Sequence, residues 1–568
     1  MRIRLEQLNP TIGDIEGNRE LILKALKNAE AEKIDLLILP EMVTTGYPPL
    51  DLLESEHFRE CCFASNETII SKTNKTAILF GTITPNENEF GRKLFNTAIL
   101  AADGKEIGSV NKTLLPTYDI FDDLRYFEPN KTFSCLNYKG LKLGVTICED
   151  IWYNENEFQY HTYDVDPADV LKNRGADLII NVSASPYTVS KHENRMGMLR
   201  NHARKLKLPV LYSNQVGSHT DVIFDGDTVA ISSDAEVIAT TEPFQASHTD
   251  IIWDENIRDI KPINDQTQHQ YPQNRSERQF KAITCGLSEY FSKSGLEPNV
   301  VLGLSGGIDS AVVCVLAAEA LGADRVTAIT MPSRFSSEGS VADSGHLAEN
   351  LGIELINLPI KKIYDTFNES LKPIFQDRPF GVAEENLQSR IRGTILMAYA
   401  NKYSHFLLPT GNKSEYAVGY ATLYGDMNGA LSIIGDLYKH EVYELAVWLN
   451  EFHYRKEVIP EAIIQKEPSA ELRPDQKDSD SLPDYGVLDD ILYRYIELKQ
   501  NAKKIIEDGF DRDIVYRIIR LVDFNEFKRY QAAPILKLSS KSFGLGRRWP
   551  MVQKWTGADE HRSPKNPI

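Results

Sequence analysis

The stretch NVVLGLSGGIDSAVVCVLAAEALG, residues 299–322, decides how the second half of this chain folds. Its apolar run Val300–Leu304 is typical of a buried parallel strand. Residues 305–307 turn the chain, and Ala311–Leu321 is predicted to be a helix that ends at Gly322. Glycines let backbone N–H groups approach an anion, and a helix N-terminus carries partial positive charge. The stretch therefore predicts a phosphate-binding loop.

This loop is not a Walker A loop, because no Gly-Lys-Ser/Thr follows the glycines. The pattern Ser-Gly-Gly-Ile-Asp-Ser at 305–310 instead resembles the loop of the N-type ATP pyrophosphatases, and an ordinary glycine turn is the alternative. The resemblance implies cleavage of ATP between its α and β phosphates, adenylation of a carboxylate or carbonyl oxygen, and displacement of AMP by ammonia. Asp309 stands where a carboxylate can hold a metal ion that bridges phosphates.

Strands and helices continue to alternate after this loop. Val326–Thr330 and Ile353–Leu358 are predicted strands, with a helix over Val341–Leu351 between them. The alternation predicts a doubly wound parallel sheet whose ligand site lies at the carboxyl ends of its strands. Met331 and Pro332 follow such an end, where their backbone can meet an adenine ring.

The composition limits the function. A chain of 568 residues is too long for one core, so two or more domains are expected. The formal net charge of −18 argues against nonspecific binding to nucleic acid or to anionic membranes. The six cysteines show neither metal-site spacing nor disulfide density, and the sequence has no signal-peptide stretch and no run of transmembrane length. We therefore expect a cytoplasmic protein.

The first half is predicted to be a layered α/β domain. A helix is predicted over Glu16–Lys33, and the predicted strands are Ile3–Gln7, Asp35–Leu39, Thr76–Ile83, Phe95–Ala101, Leu141–Ile147, Asp177–Val182, Val210–Ser213, Thr228–Ser232 and Ile251–Trp253. The polar stretch 254–279 has little to bury and is predicted to link the domains. The expected domains are therefore residues 1–253 and 280–568.

Three polar residues, Glu41, Lys112 and Cys148, each follow an apolar run of the first half. Alpha/beta proteins place their chemistry at strand ends. A thiol needs a lowered pKa or a nearby base to attack an amide, and an ammonium and a carboxylate can supply both. Each residue alone is more simply a core thiol or a solvated charge, but the three together indicate thiol chemistry on an amide.

The contexts Leu-Pro-Glu41-Met, Asn-Lys112-Thr-Leu-Leu-Pro and Ile-Cys148-Glu-Asp-Ile-Trp resemble, in order, the motifs of the nitrilase (carbon–nitrogen hydrolase) superfamily. The resemblance implies an αββα sandwich in which Glu41 is the general base, Lys112 stabilises the tetrahedral intermediate and Cys148 forms the thioester. At Asp123 the superfamily pattern Phe-Asp-Glu-x-Arg-Tyr-Phe has glutamate. The shorter Asp123 puts in question the hydrogen bond of this accessory carboxylate to the lysine or cysteine region.

Two further elements are similar to the glutamine pocket of the glutaminase members of that superfamily. They are Tyr118 and the run 181–191. The resemblance implies that Tyr118, Ser185 and Lys191 contact a glutamine substrate. For Ser185, a turn hydroxyl before Pro186 is the alternative.

Motifs along almost the whole chain are similar, in order, to those of the glutamine-dependent NAD+ synthetase family, of the shorter bacterial type. They are CEDIW at 148–152, LSGGIDS at 304–310, ENLQSRIRG at 385–393, PTGNKSE at 409–415, PSAELRP at 468–474 and SFGLGRRWP at 542–550. The resemblance implies glutamine hydrolysis in the first domain. In the second it implies ATP-dependent amidation of deamido-NAD to NAD+.

The same resemblance implies the binding residues of the second domain. The ATP-binding residues would be Gly303, Leu304, Ser305, Gly306, Gly307, Ile308, Asp309, Ser310 and Thr410. The deamido-NAD contacts would be Asn386, Glu415 and Lys528, with Asp436 and Lys439 as further contacts. Asp309 and Glu415 can share a Mg²⁺ ion, because hard oxygen ligands and phosphates suit that metal. For the charged residues of this region, and for Arg390 and Arg392 in particular, the alternative to a role in the site is an exposed face that forms salt bridges.

Two late segments complete the predictions. Gln465–Gly486 is charged and proline-punctuated, and we interpret it as a lid that orders over the nucleotides and excludes water, with a disordered surface loop as the alternative. The basic tail Lys537–Arg548 is expected to meet phosphates or a neighbouring subunit. A homo-oligomer that acts on small molecules is expected.

Two other functions stay open at this point. GMP and asparagine synthesis use the same pyrophosphatase loop, but residue 2 is Arg2 where asparagine synthetases need a cysteine. The Gly-x-Cys-x-Gly context of the GMP synthetase glutaminase is absent around Cys148. A nucleotide-binding regulator with an inactive amidase domain is the second alternative, which the intact Glu41, Lys112 and Cys148 disfavour.

Overall fold

The computed structural model describes residues 1–153, 163–263, 268–474, 476–555 and 557. The chain divides into two compact units, Met1–Pro272 and Gln273–Ile568. The stretch 254–279, predicted to be a linker, contains a strand at Asp259–Pro262 and the first residues of a helix that begins at Arg275. Within the described residues, no helix combines the length and the hydropathy needed to cross a bilayer.

The first unit is rich in strands. Its strands are β1 Arg2–Gln7, β2 Leu36–Ile38, β3 Ala77–Pro85, β4 Leu94–Ala102, β5 Lys105–Asn111, β6 Leu136–Tyr138, β7 Leu141–Ile147, β8 Leu178–Ser183, β9 Val210–Asn214, β10 Val216–His219, β11 Val222–Asp225, β12 Val229–Ile231, β13 Val237–Thr240, β14 Ser247–Asp254 and β15 Asp259–Pro262. Its helices are α1 Ile15–Ala31, α2 Glu56–Ser71, α3 Asp123–Tyr126, α4 Pro167–Asn173 and α5 Lys191–Leu206, with short 3-10 turns at Leu50–Glu54 and Cys148–Ile151.

Two large sheets of this unit pack face to face. One has the order β15-β14-β1-β2-β3-β4-β5 and the other β13-β12-β9-β8-β7-β6. Alternate side chains, such as Leu5 and Ile38 of the first sheet and Val145 and Ile180 of the second, fill one core between them. The outer faces are covered by α1 on the first sheet and by α4 and α5 on the second. The αββα sandwich is therefore confirmed.

The second unit is mostly helical. Its strands are β16 Val300–Gly303, β17 Val326–Thr330, β18 Glu354–Asn357 and β19 Phe406–Leu407. Its helices are α6 Arg275–Ser294, α7 Ile308–Leu321, α8 Glu338–Leu351, α9 Lys361–Phe375, α10 Val382–Tyr403, α11 Lys413–Val418, α12 Lys439–Trp448, α13 Glu461–Gln465, α14 Tyr485–Ile496, α15 Ala502–Glu507, α16 Arg512–Phe524 and α17 Glu526–Arg529. A π-helical turn spans Leu449–Tyr454, and 3-10 turns span Ala323–Arg325 and Asp478–Asp480.

The four strands of this unit form a parallel sheet in the order β18-β17-β16-β19. Val301 and Ile329 pack with side chains of α9 and α10 on one face. Strand neighbours such as Val300 and Leu302 point to the other face, and α7 contacts β16 and β17. The doubly wound sheet is therefore confirmed, and it places the loop after β16 at a carboxyl edge.

Candidate functional site

The thiol of Cys148 lies directly after β7, at the start of the 3-10 turn. The backbone φ of Cys148 is 44°, in the left-handed region that non-glycine residues rarely adopt. The residue is 3% exposed. Burial raises the pKa of this thiol well above its ordinary value, the charge of Glu41 raises it further, and Lys112 lowers it. A thiol in this environment needs a base to become a nucleophile.

The carboxylate of Glu41 lies beside that thiol and is completely buried. Its Oε1 accepts hydrogen bonds from Lys112 Nζ at 2.9 Å and from Asn96 Nδ2 at 2.7 Å, and its Oε2 accepts one from the backbone N–H of Ala184 at 2.9 Å. Gly81 of β3 backs this position, since an added Cβ there would lie 2.5 Å from the Glu41 Cα. The Glu41 carboxylate is therefore held by three donors.

The ammonium of Lys112 bridges two carboxylates. Besides Glu41, Nζ donates to Asp123 Oδ2 at 2.7 Å, and Asp123 Oδ1 accepts from the Tyr47 hydroxyl at 3.0 Å. Burial disfavours the charge, but Asp123 and Glu41 outweigh it and raise the pKa of Lys112 well above its ordinary value. The shorter Asp123 therefore reaches the lysine, and the lysine stays charged.

The three residues predicted to bind glutamine lie around the same turn. The Tyr118 hydroxyl donates to Glu149 at 2.9 and 3.0 Å from its two oxygens. Lys191 begins α5 and lies close enough to Glu149 to lower the pKa of that carboxyl, although burial raises it overall. Ser185 is buried, and its backbone N–H donates to Asn214 Oδ1 at 2.8 Å.

Glu149 was missed by the sequence analysis. It is 5% exposed, accepts from Tyr118 and from the Tyr163 hydroxyl at 3.1 Å, and lies next to Cys148. Its place directly after Cys148 in the CEDIW motif was the available signal. A buried carboxylate here can accept hydrogen bonds from a cationic group of a substrate.

The second unit contains a cavity of about 280 Å³ at the carboxyl edge of its sheet. Every predicted ATP-binding residue except Gly306 lines it, namely Gly303, Leu304, Ser305, Gly307, Ile308, Asp309, Ser310 and Thr410. Gly306 lies behind them with φ of 77°, and an added Cβ would lie 2.4 Å from the carbonyl oxygen of Ser340. Only glycine fits at that position without strain.

Two carboxylates in this cavity share one ammonium. Lys439 contacts Asp309 Oδ2 and lies 3.5 Å from Glu415 Oε1, and Asn412 Nδ2 donates to Asp309 Oδ1 at 2.9 Å. Burial and the charge of Asp309 raise the pKa of Glu415 to about 8. Burial opposes the charge of Lys439, but the two carboxylates raise its pKa overall. The arrangement concentrates negative charge where a cation is favoured.

Comparison with known proteins covers nearly the whole chain. Residues 2–251 match the carbon–nitrogen hydrolase family and residues 279–532 the NAD synthase family. The glutamine-dependent NAD(+) synthetase of Synechocystis sp. is 45% identical over 555 residues, 97% of this chain and 98% of that protein. The chain is a member of the glutamine-dependent NAD+ synthetase family.

Other members of the NAD+ synthetase family agree. The glutamine-dependent NAD(+) synthetase of Thermotoga maritima is 38% identical over 591 residues, covering 98% of this chain and 99% of that protein. A structure of the glutamine-dependent NAD+ synthetase of Acinetobacter baumannii with ADP is 35% identical, with a TM-score of 0.77 over 98% of this chain and 99% of that one. The similarity spans both units, which disfavours a GMP or asparagine synthetase.

Two of the three residues predicted to contact deamido-NAD in this NAD+ synthetase chain lie outside the cavity lining. Asn386 Oδ1 accepts from the Thr422 hydroxyl at 2.9 Å. Lys528 Nζ donates to the carbonyl oxygens of Gly419 at 2.7 Å and Ala421 at 2.9 Å, and Ala421 lines the cavity. Glu415 lines the cavity directly. Lys528 thus lies behind the wall at Ala421, whereas the partner of Asn386, Thr422, is not itself part of the lining.

The structure also shows where three other residues singled out in the second unit lie relative to the cavity. Arg392 lines the cavity and its Nε donates to Met331 O at 3.1 Å, so that carbonyl already has a partner. Asp436 does not line the cavity, because it is buried against Lys413 and accepts from the backbone N–H of Ser539 at 2.7 Å. Arg390 lies on the surface and donates from Nε to Leu423 O at 3.2 Å.

The expectation for the basic tail was wrong for two of its residues. Lys537 is 2% exposed, and its Nζ donates to the carbonyl oxygen of Ser539 at 2.9 Å. Arg547 is buried and pairs with Glu526 at 3.0 Å. Both cations are used inside the unit, because their burial requires partners from the same chain.

The segment interpreted as a lid contributes to the cavity wall. Its residues Lys466, Glu467, Pro468, Ser469, Ala470, Glu471, Leu472 and Asp478 line the cavity. The Gln388 side chain of α10 donates to Leu472 O at 2.8 Å, and Lys466 pairs with Glu471 at 2.8 Å. The described part of this segment is therefore packed against the cavity.

Proposed function

We propose that this chain makes NAD+ from deamido-NAD, ATP and glutamine, with glutamine hydrolysis in the first unit and amide synthesis in the second. The observation that carries this proposal is the pairing, in one chain, of the buried Cys148–Glu41–Lys112 set with the cavity around Ser305–Ser310. Glutamate, AMP and diphosphate are the other products.

In the first unit Glu41 accepts the proton of the Cys148 thiol, which then attacks the side-chain amide of glutamine. The charged Lys112 stabilises the oxyanion that forms. Ammonia leaves, and water releases glutamate from the thioester. Tyr118, Ser185 and Lys191 hold the glutamine, and Glu149 accepts its α-ammonium group between Tyr118 and Lys191.

In the second unit the loop 303–310 and Thr410 bind ATP, and Asn386, Glu415 and Lys528 bind deamido-NAD, Glu415 from the cavity lining and Lys528 from behind Ala421. The nicotinate carboxylate attacks the α-phosphate, because a free carboxylate is a poor electrophile. Pyrophosphate departs at the glycine loop, and ammonia then displaces AMP. The segment around Lys466–Leu472 keeps water away from the acyl-adenylate.

Asp309 and Glu415 fit a magnesium ion. Their oxygens face the same ammonium of Lys439, and burial together with the nearby charge of Asp309 raises the pKa of Glu415. Carboxylates are the ligands that Mg²⁺ prefers beside phosphates. When bound, an ion held by Asp309 and Glu415 would neutralise phosphate charge beside Lys439.

We also propose that the chain works as a homo-oligomer in the cytoplasm. The free state of all six cysteines supports a reducing compartment. Apolar side chains on and next to α9 support a contact with a second copy, because Phe367, Ile374 and Val382 are 46, 72 and 68% exposed. Light scattering of wild type and Phe367→Ser tests the contact, and an unchanged mass would contradict it.

The function is tested by assaying NAD+ formation with glutamine or with ammonia. Cys148→Ala is expected to lose synthesis from glutamine and to keep synthesis from ammonia, because only the first unit is disabled. A wild type that makes no NAD+ from ammonia, ATP and deamido-NAD would contradict the assignment. A regulator with an inactive amidase would release no glutamate.

A further inference from the structure

One carboxylate, that of Asp150, joins two backbone segments that are distant in sequence. The residue is 2% exposed. Its Oδ1 accepts from the N–H groups of Thr113 at 2.9 Å and Leu114 at 2.7 Å. Its Oδ2 accepts from the N–H of Ile147 at 3.0 Å. The first segment directly follows the lysine of the candidate site, and the second directly precedes its cysteine.

The number of donors accounts for the residue type. Three backbone N–H groups converge on one short side chain, and a carboxylate offers two acceptor oxygens and no donor. Asparagine has one acceptor oxygen, so its amide N–H would face a backbone N–H. Burial raises the pKa of Asp150 to about 7, while the bonds from Leu114 and Ile147 favour the charged form. The three backbone N–H donors therefore stabilise the carboxylate in its buried surroundings.

Asp150 and its three backbone donors, Thr113, Leu114 and Ile147, form a clamp. The backbone next to this clamp is held in an uncommon conformation. Cys148 has a φ of 44°, which persists only where the surrounding structure fixes it. The bond from the Ile147 N–H to Asp150 closes the turn around Cys148 from both ends, since Asp150 belongs to the same 3-10 turn. The clamp thus fixes where the thiol points.

We propose that Asp150 is a positioning residue for thioester formation, which sets the distance between the Cys148 thiol and the Lys112 ammonium through the backbone on either side. This inference rests on the proposed glutaminase function. Asp150 acts on the two segments and not on glutamine, so its loss lowers the rate of the covalent step and leaves glutamine binding in place.

The test is Asp150→Asn in the full chain, with glutamate release measured against glutamine concentration. We expect kcat to fall at least tenfold, with KM for glutamine unchanged within about twofold and ammonia-driven NAD+ synthesis unchanged. The matched control is Asp166→Asn in the same unit. Asp166 is also buried and accepts from the backbone N–H groups of Ala168 at 3.1 Å and Asp169 at 3.2 Å, and we expect its kcat to be unchanged.

Alkylation of Cys148 by iodoacetamide, followed by mass spectrometry of its peptide, separates positioning from unfolding. In Asp150→Asn the thiol is expected to lose its fixed position beside the Lys112 ammonium, which favours the thiolate, so alkylation is expected to slow; an unfolded unit would expose the thiol and speed it. Unchanged kcat, a rise in KM that accounts for the loss, or faster alkylation would each overturn the inference. A wild type that releases no glutamate would instead overturn the proposed function.

Discussion

Lys112 Nζ lies 2.9 Å from Glu41 Oε1, and both side chains are fully buried. Because Lys112 keeps a second partner in Asp123 at 2.7 Å, replacing Glu41 does not leave its charge unpaired. Glu41→Gln is therefore expected to fold and to lose about 10²–10⁴-fold in glutamate release, the usual contribution of a general base. Ammonia-driven NAD+ synthesis is expected to stay unchanged. A glutaminase rate within threefold of wild type would rule out Glu41 as the base.

Lys112→Met has a different consequence, because it leaves the Glu41 and Asp123 carboxylates buried together. Breaking a buried ion pair by removing one partner typically costs about 3–5 kcal/mol. The first unit of this variant is expected to melt at lower temperature than that of Glu41→Gln. Calorimetry of the two variants measures the difference, and equal melting temperatures would contradict the prediction.

Asp123 makes the hydrogen bonds expected of a longer glutamate. It contacts Lys112 at 2.7 Å and Tyr47 at 3.0 Å and is 5% exposed. Asp123→Glu would add a methylene to this packed place, which typically costs about 1–3 kcal/mol. We therefore expect Asp123→Glu to lower glutamate release and stability. Tyr47→Phe is the control, because it removes one hydrogen bond to Asp123 without adding volume. Higher glutamate release by Asp123→Glu than by wild type would contradict the prediction.

Gly306→Ala tests whether the loop 303–310 binds the nucleotide. Its Cβ would lie 2.4 Å from the carbonyl oxygen of Ser340 in α8, at a φ of 77°. The resulting displacement of the loop is expected to lower NAD+ synthesis from both glutamine and ammonia by about 100-fold, while glutamate release continues.

Gly345→Ala is the matched control. Gly345 lies in α8, the helix that contains Ser340, and an added Cβ there meets no atom within 4 Å. This variant is expected to keep full activity and to gain about 0.5–1 kcal/mol in stability. Retained synthesis in Gly306→Ala would show that the loop does not bind phosphates as proposed.

The first unit contains a carboxyl whose titration affects stability. Burial raises the pKa of Glu6 to about 7, Arg4 lowers it, and Asp250 and Glu32 raise it. Since the folded state binds this proton more tightly than the unfolded state, the free energy of unfolding falls as pH rises from about 4.5 to 7. Glu6→Gln, which cannot ionise, is expected to be more stable than wild type by up to about 3 kcal/mol above pH 7 and similar to it near pH 4.5.

Thermal unfolding of wild type and Glu6→Gln between pH 4.5 and 8 measures this difference. Glu20→Gln on the exposed face of α1 is the control, for which no pH-dependent difference is expected. His248, 4.0 Å from Glu6, gains charge at low pH and is present in both proteins. A difference that shrinks with rising pH would contradict the assignment.

Most buried strands with continuous apolar sequences were predicted, but the buried hairpin of β10 and β11, whose sequence includes polar residues, was not. Leu141–Ile147 has the predicted bounds, whereas the largely exposed β5 at Lys105–Asn111 was not among the predicted strands. The helix α9 was not predicted, since only Tyr364 of its side chains is buried. Part of the predicted linker pairs with β14, a contact that depends on the neighbouring strand.

The candidate site was predicted as far as local motifs reach. Glu41, Lys112 and Cys148 each stand in a motif, and the structure brings their charges together. The position of Lys439 between Asp309 and Glu415 could not be read from the sequence, because the three residues come from separate segments. The same holds for the clamp that Asp150 forms with Thr113 and Leu114.

The central claim is that nitrogen freed at Cys148 ends in the amide of NAD+. The most direct measurement is mass spectrometry of the product made from deamido-NAD, ATP, Mg²⁺ and glutamine labelled with ¹⁵N in its side-chain amide. We predict NAD+ that carries one ¹⁵N in wild type, and none from labelled glutamine in Cys148→Ala. Unlabelled NAD+ from the wild type, or labelled NAD+ from Cys148→Ala, would contradict the account.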